Sequence, residues 1–266
     1  MKLNNFFCTL LIMVSLFSCQ SSFEKGEEAF ELERYDEALQ YFQAALQFDP
    51  QNLDILYNVG RCYEELGDFK LAIEFFSKCL RQNKKFVEGF LGRARCNMKL
   101  EKYEGVVVDA DNVLALDENN FDANSLKGMS CFKIYRYIDA AYCFDRAIKT
   151  KPEHLNSYYH RAVSRASFGD RNGALKDLNY FITEKDDFAQ AYFNRGIILE
   201  RMGKFRMARN DFNKAVEFNL KNGELYFRRG ICNYQLGDKK QACKDFKTVA
   251  NYDQKVSREA LEEYCI

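Results

Sequence analysis

Two apolar rhythms run along this chain. Over residues 6–17, FFCTLLIMVSLF, hydrophobic side chains are nearly continuous. Past residue 19 they give way to apolar and small residues three and four apart, the spacing of helices that bury one face. That second rhythm has a longer period laid over it. GDFKLAIEFFSKCL (67–80), GKFRMARNDFNKAV (203–216) and GDKKQACKDFKTVA (237–250) lie at offsets that are multiples of 34 residues. Taking the small residue in the second half of each unit as position 20 gives Ala38, Ala72, Val106, Ala140, Ala174, Ala208 and Ala242, with no insertion between them. Position 8 is Gly26, Gly60, Ala94, Gly128, Ala162, Gly196 and Gly230, and position 24 is Phe42, Phe76, Ala110, Phe144, Leu178, Phe212 and Phe246. Each unit therefore predicts two helices joined by a tight turn, often Leu-Gly (66–67, 236–237). The units are 19–52, 53–86, 87–120, 121–154, 155–188, 189–222 and 223–256, and Pro50 and Pro152 stand where a second helix would end. One such hairpin cannot cover its own apolar face, so neighbours must stack and the ends need caps. SREALEEYCI (257–266) predicts the last cap, with Ser257 as its N-cap and Ala260, Leu261 and Tyr264 turned inward. At the other end Ser21 and Glu24 have capping-box spacing, which places the first helix start at Ser21 or Ser22.

This pattern resembles the tetratricopeptide repeat, in unbroken phase over residues 19–256. The resemblance implies an all-α, right-handed superhelical solenoid of seven helix-turn-helix repeats plus a C-terminal capping helix. It also implies a binding groove lined by positions 2, 5, 9, 12 and 13 of each first helix. Carried over, position 5 gives Phe23, Tyr57, Leu91, Ser125, Tyr159, Phe193 and Phe227. These rings either contact a ligand or pack between helices. Position 9 contributes Arg61 and Arg95, and position 13 Lys99 and Lys133, a basic middle groove beside an acidic end formed by Glu24, Glu27, Glu31, Glu64 and Glu65. The candidate partner-binding row is thus Tyr57, Arg61, Leu91, Arg95, Lys99, Lys133, Tyr159, Phe193 and Phe227. The family's clamp for a chaperone carboxyl terminus needs Lys at position 5 and Asn at position 9, and no repeat here has either. An extended or helical segment of another protein, held by a few aromatic anchors, is the expected partner.

The first apolar run changes the setting. Residues 1–18 combine one Lys2 with a core too short for a membrane span, which needs roughly 17–25 residues. They read as an export signal. Leu16, Phe17, Ser18 and Cys19 resemble the lipobox of bacterial lipoproteins, which implies that Cys19 is acylated and becomes the mature N-terminus. The alternative is ordinary cleavage after Ser18 with Cys19 free, which would favour a secreted or cytosolic eukaryotic adaptor. On the lipoprotein reading the chain sits in a bacterial cell envelope, lipid-anchored, with Gln20 after the anchor pointing to the outer membrane.

Charge and chemistry narrow the function. Lys and Arg total 39 and so do Asp and Glu, which leaves no bulk attraction for nucleic acid. There are only two His and no CxxC pair, so neither a metal nor a cofactor is expected. Cys62, Cys96 and Cys232 recur at position 10, and Cys79 stands in for a small residue, which reads as packing; no disulfide pair can be named. No nucleophile elbow or phosphate-binding glycine loop appears, so an enzyme is not expected. One polar pattern is specific to this chain. Arg93, Arg161, Arg195 and Arg229 occupy position 7, and Asp109, Asp177, Asp211 and Asp245 occupy position 23 of the same four repeats. A bridge between the two helices of one repeat is the expectation, and a ligand-binding Arg row the alternative. The functional expectation is a non-enzymatic, membrane-anchored scaffold; the alternative is a ligand-binding component of a polysaccharide or nutrient uptake complex.

Overall fold

The computed structural model describes residues 20–265; the export signal and Cys19 lie outside the described residues. The described residues are helical, with no strand. In chain order the helices are α1 (20–31), α2 (Tyr35–Phe48), α3 (Leu53–Glu65), α4 (Phe69–Gln82), α5 (Val87–Lys99), α6 (Tyr103–Leu116) and α7 (Phe121–Lys133). There follow α8 (Tyr137–Thr150), α9 (Leu155–Ser167), α10 (Arg171–Glu184), α11 (Ala189–Arg201), α12 (Phe205–Glu217), α13 (Gly223–Gln235), α14 (Lys239–Val249) and α15 (Gln254–Tyr264). From α3 to α13 the odd-numbered helices start 34 residues apart, and from α2 to α14 the even-numbered ones do the same. The described residues form two compact units that divide between residues 135 and 136. In the first unit α3 packs on α4 and α5 on α6, and each pair stacks on the next through α2–α3, α4–α5 and α6–α7. In the second, α9–α10, α11–α12 and α13–α14 pair and stack in the same way, α8 lies on α9, and α15 covers α14.

The position 8 residue decides what can fill the core. A Cβ built on Gly26 would stand 2.6 Å from the Phe42 ring, on Gly60 2.8 Å from Phe76, on Gly196 2.6 Å from Phe212 and on Gly230 2.6 Å from Phe246. Position 24 rings are fully buried because the facing glycine leaves them room. Where position 8 is alanine the partner shrinks, to Ala110 opposite Ala94 and to Leu178 opposite Ala162. The helix-to-helix turn uses a second special position. Position 15 has a positive φ at Gly67, Gly169, Gly203 and Gly237, and equally at Glu33, Glu101 and Tyr135. The left-handed residue lets the chain reverse while capping helix carbonyls, as where Asp68 N–H donates to Tyr63 O at 2.8 Å.

Both chain ends depart from the sequence expectation. Residue 20 is already helical, so Ser21 lies inside α1 and cannot be its N-cap. Glu24 instead accepts from Gln20 Nε2 at 3.0 Å. The cap helix α15 begins three residues before Ser257, because the Asp253 carboxylate accepts from Val256 N–H and takes the N-cap role. Ser257 is buried and donates its hydroxyl to Phe246 O at 2.7 Å, fastening α15 to α14. Ala260, Leu261 and Tyr264 do pack inward, Tyr264 stacked 5.4 Å from Phe246. A disulfide joins Cys243 of α14 to Cys265 just past α15.

Candidate functional site

The four Arg–Asp pairs are intra-repeat bridges. Arg93 reaches Asp109 through Nε at 3.0 Å and Nη2 at 2.6 Å, Arg161 reaches Asp177 at 2.8 and 2.6 Å, Arg195 reaches Asp211 at 2.7 and 2.7 Å, and Arg229 reaches Asp245 at 3.1 and 2.6 Å. All four aspartates are buried. The planar guanidinium meets the carboxylate edge on, as a fork. Its remaining nitrogen does something the sequence reading missed. Nη1 donates to the preceding repeat: Arg93 to Ser77, Arg161 to Asp145, Arg195 to Asn179 and Arg229 to Asn213, all within 3.1 Å. Lys127 repeats the outward contact on Asp111 at 2.6 Å. The signal was present, since every residue reached sits at position 25 and is polar. Each Arg thus ties three helices, and an aromatic one turn earlier (Phe90, Tyr158, Tyr192, Tyr226) lies within 5.9 Å of its guanidinium. The hydrogen bonds to Asp211 raise the Arg195 pKa further, against the desolvation of burial. In each of these arginines all three guanidinium nitrogens are hydrogen-bonded within the protein.

The predicted groove row divides. Leu91 and Phe193 belong to the core, 9% and 5% exposed, and are corrected from groove to interior. For Phe193 the reason is the position 24 ring beneath it, Phe212 at 5.9 Å, and Leu91 packs among Leu80, Ala110 and Val113. Tyr57 and Phe227 keep an exposed edge but lean on their position 24 rings Phe76 and Phe246, each at 5.8 Å, and Tyr159 leans on Phe181 at 5.4 Å. The charge split along the first unit is also altered. Arg95 forms a fork on Glu64 of the preceding repeat at 2.6 and 2.8 Å, so a basic and an acidic candidate neutralise each other. Arg61 lies over the Phe30 ring at 3.9 Å. Lys99 and Lys133 are exposed.

What the sequence did not single out is a cleft of about 180 Å³ in the second unit, between α9 and α11. Its walls are Val163, Ala166 and Ile197, with the buried Leu178 of α10 behind them. Val163 and Ile197 are position 9 residues and Ala166 is position 12, so the opening lies on the face that the resemblance assigns to the groove. Asn194, Arg171 and Arg201 also line it. Asn194 is held in place, its amide donating to Tyr159 OH at 2.9 Å and its carbonyl accepting from Gln190 at 3.2 Å.

The thiols follow their burial. Cys62, Cys96 and Cys232 are pushed up to about 12 and Cys79 to about 11 by desolvation, so they stay protonated and unreactive near neutrality. Among the described residues no group of His, Cys, Asp and Glu could hold a metal ion. No described helix is long and apolar enough to cross a membrane.

Comparison with known proteins agrees with this geometry. Residues 29–88, 189–222 and 224–254 each match the family described as tetratricopeptide repeat. A tetratricopeptide repeat protein from Parabacteroides merdae aligns over 94% of this chain and 99% of its own, with 21% identity and a TM-score of 0.64. YrrB, described as a TPR protein with an unusual peptide-binding site, aligns over 70% of this chain and 97% of its own, with 17% identity and a TM-score of 0.62. Among curated proteins, RNA polymerase II-associated protein 3 of Xenopus laevis is 27% identical over 114 residues, 43% of this chain. This chain spans only 17% of that protein's length. The consecutive helix pairs and the three matched segments define a tetratricopeptide-repeat array. The chain is a tetratricopeptide-repeat protein.

Proposed function

We propose that the protein is a non-enzymatic scaffold of a bacterial cell envelope, anchored through an acylated Cys19, that holds segments of partner proteins on its first-helix face. The observation that carries the binding part is the α9–α11 cleft. It is apolar, open, and formed by the positions that face the groove in this family, while the rings first expected to bind are largely used in packing. Export finds support in the apolar run 6–17 ahead of Cys19 and in the Cys243–Cys265 disulfide, a bond that persists in oxidising compartments.

Two measurements test the reading. A photocrosslinking residue at Ile197 should capture protein from intact envelopes, whereas one at Val108, exposed on α6, should not. Crosslinks from Val108 and none from Ile197 would place binding elsewhere. Cys19→Ala should leave the protein soluble or unprocessed. A mature Cys19→Ala protein that stays with membranes through a high-salt wash would end the lipoprotein reading.

A further inference from the structure

The charge balance of the whole chain conceals a division. Residues 136–266 carry 24 Lys and Arg against 18 Asp and Glu, a net of +6, and residues 1–135 carry 15 against 21, a net of −6. Within the basic unit several arginines are spoken for: Arg161, Arg195 and Arg229 by their aspartates, Arg165 by Asp177, and Arg228 by Glu200 and Glu224. Arg171 and Arg201 are different. Both are exposed, both line the α9–α11 cleft, and among the described residues neither side chain has a carboxylate or any other hydrogen-bond partner. Arg201 lies in the last turn of α11 and Arg171 at the first residue of α10, so two uncompensated cations flank one apolar opening.

We propose that this cleft is a subsite for an extended acidic peptide, which seats one branched apolar side chain against Val163, Ile197 and Leu178 and places carboxylates on Arg171 and Arg201. This deepens the scaffold reading and rests on it. The volume suits one aliphatic side chain better than a free small molecule, and the open mouth lets a chain continue past it. Asn194 adds a backbone contact. Its amide has two N–H donors, one of which is used on Tyr159, and the fixed second one can donate to a peptide carbonyl. Apolar contact supplies affinity, and the paired cations select acidic flanks and speed encounter with them.

The test uses the full chain and a short fluorescein-labelled peptide carrying one leucine among aspartates and glutamates, followed by anisotropy. Binding should weaken as salt is raised and should fall about tenfold or more in Arg171→Gln/Arg201→Gln, where two charge-assisted contacts are lost. Replacing the probe's leucine by glycine should have a comparable effect, as should Ala166→Leu, which fills the cleft without touching charge. Circular dichroism on each variant confirms that it is folded. The subsite is overturned if the double Arg variant binds like wild type, if the glycine probe binds as well as the leucine probe, or if a lysine-flanked probe competes equally. It is also overturned if the site proves to hold the acidic half of a second copy, seen as concentration-dependent dimers that the double Arg change dissolves. The Ile197 envelope crosslink reports separately on the scaffold. If it captures no protein while the probe still binds through both arginines, the subsite stands and the envelope scaffold falls.

Discussion

The exchange between positions 8 and 24 makes a sharp prediction at Gly196. An alanine there would put its methyl carbon 2.6 Å from Phe212, at least 0.9 Å inside ordinary carbon–carbon contact of roughly 3.5 Å. The ring cannot step aside. It has no exposed surface and is backed by Phe193, 5.9 Å away. Overpacking of this kind costs roughly 1–3 kcal/mol. Against it stands the gain of about 1 kcal/mol when alanine replaces glycine inside a helix. Gly196→Ala should therefore destabilise by about 1 kcal/mol, the middle of a net range of roughly 0–2 kcal/mol. Phe212→Leu alone leaves part of a cavity, and should cost about 1 kcal/mol. The double variant Gly196→Ala/Phe212→Leu recreates the Ala162/Leu178 pair that this chain already uses, and should be near wild type. A coupling of about 1.5 kcal/mol or more is expected, well outside the additivity of independent sites. Urea unfolding should be read together with hydrogen exchange over α11 and α12, since stacked repeats need not unfold in one step. The reasoning fails if Gly196→Ala is stabilising, or if the two costs simply add.

Other positions give equally direct tests. Glu101 takes a φ of 57°, a conformation where its Cβ is strained, so Glu101→Gly should raise stability by a few tenths to about 1 kcal/mol, whereas the equivalent Gly203→Ala should lower it; a destabilised Glu101→Gly or a stabilised Gly203→Ala in thermal unfolding would refute the turn argument. Burial pushes the Asp145 carboxyl up, but its hydrogen bond to Lys149 and the charges of Lys149, Arg161 and Arg165 outweigh this and hold it below its ordinary value. A lowered folded pKa means stability that is complete above the unfolded value and is lost as pH falls through the folded one, so Asp145→Asn should matter at neutral pH and progressively cease to matter as pH falls below the ordinary carboxylate value, by urea titration at each pH. Buried thiols Cys62, Cys79, Cys96 and Cys232 should resist iodoacetamide in the native chain, while reduction of Cys243–Cys265 should raise hydrogen exchange in α15 and leave α9–α12 unchanged; mass spectrometry after digestion reads both.

Much of this was legible in the residues, for reasons that also mark where legibility stopped. The helix phase could be read because each repeat meets the same neighbours and so keeps the same residue class at a given position. The Arg–Asp forks could be read because the two charges recur at one spacing, and a planar guanidinium reaching sixteen residues along the chain has few other carboxylates to meet. The second hand of each Arg was missed because position 25 varies among Ser, Asp and Asn, which share only the ability to accept a hydrogen bond. Position 5 was ambiguous because helical spacing gives a direction and not a depth. Whether Phe193 faces a partner or the core depends on how far the Phe212 ring extends, and that depends in turn on Gly196 having no side chain. The cap start hinged on a contest between Asp253 and Ser257, decided by a carbonyl of α14 that only the fold brings to Ser257.

These details bear on function through the second unit. Three consecutive forks, at Arg161, Arg195 and Arg229, fall there, and one, at Arg93, falls in the first unit. Arg161 joins α9 to α8 and α10, and Arg195 joins α11 to α10 and α12. The two walls of the cleft, α9 and α11, are thereby both fastened to the intervening α10, which also provides the Leu178 backing and the Arg171 rim. Leaving the buried Asp177 without Arg161 costs roughly 3–5 kcal/mol, so movement of α9 against α10 is strongly opposed, and the Arg195–Asn179 hydrogen bond adds a weaker tie on the α11 side. A binding surface held in this way keeps its shape before the ligand arrives and spends little affinity on ordering itself. The arginines of the forks therefore set the spacing at which Arg171 and Arg201, the two free arginines on the rim of the cleft, can meet a partner.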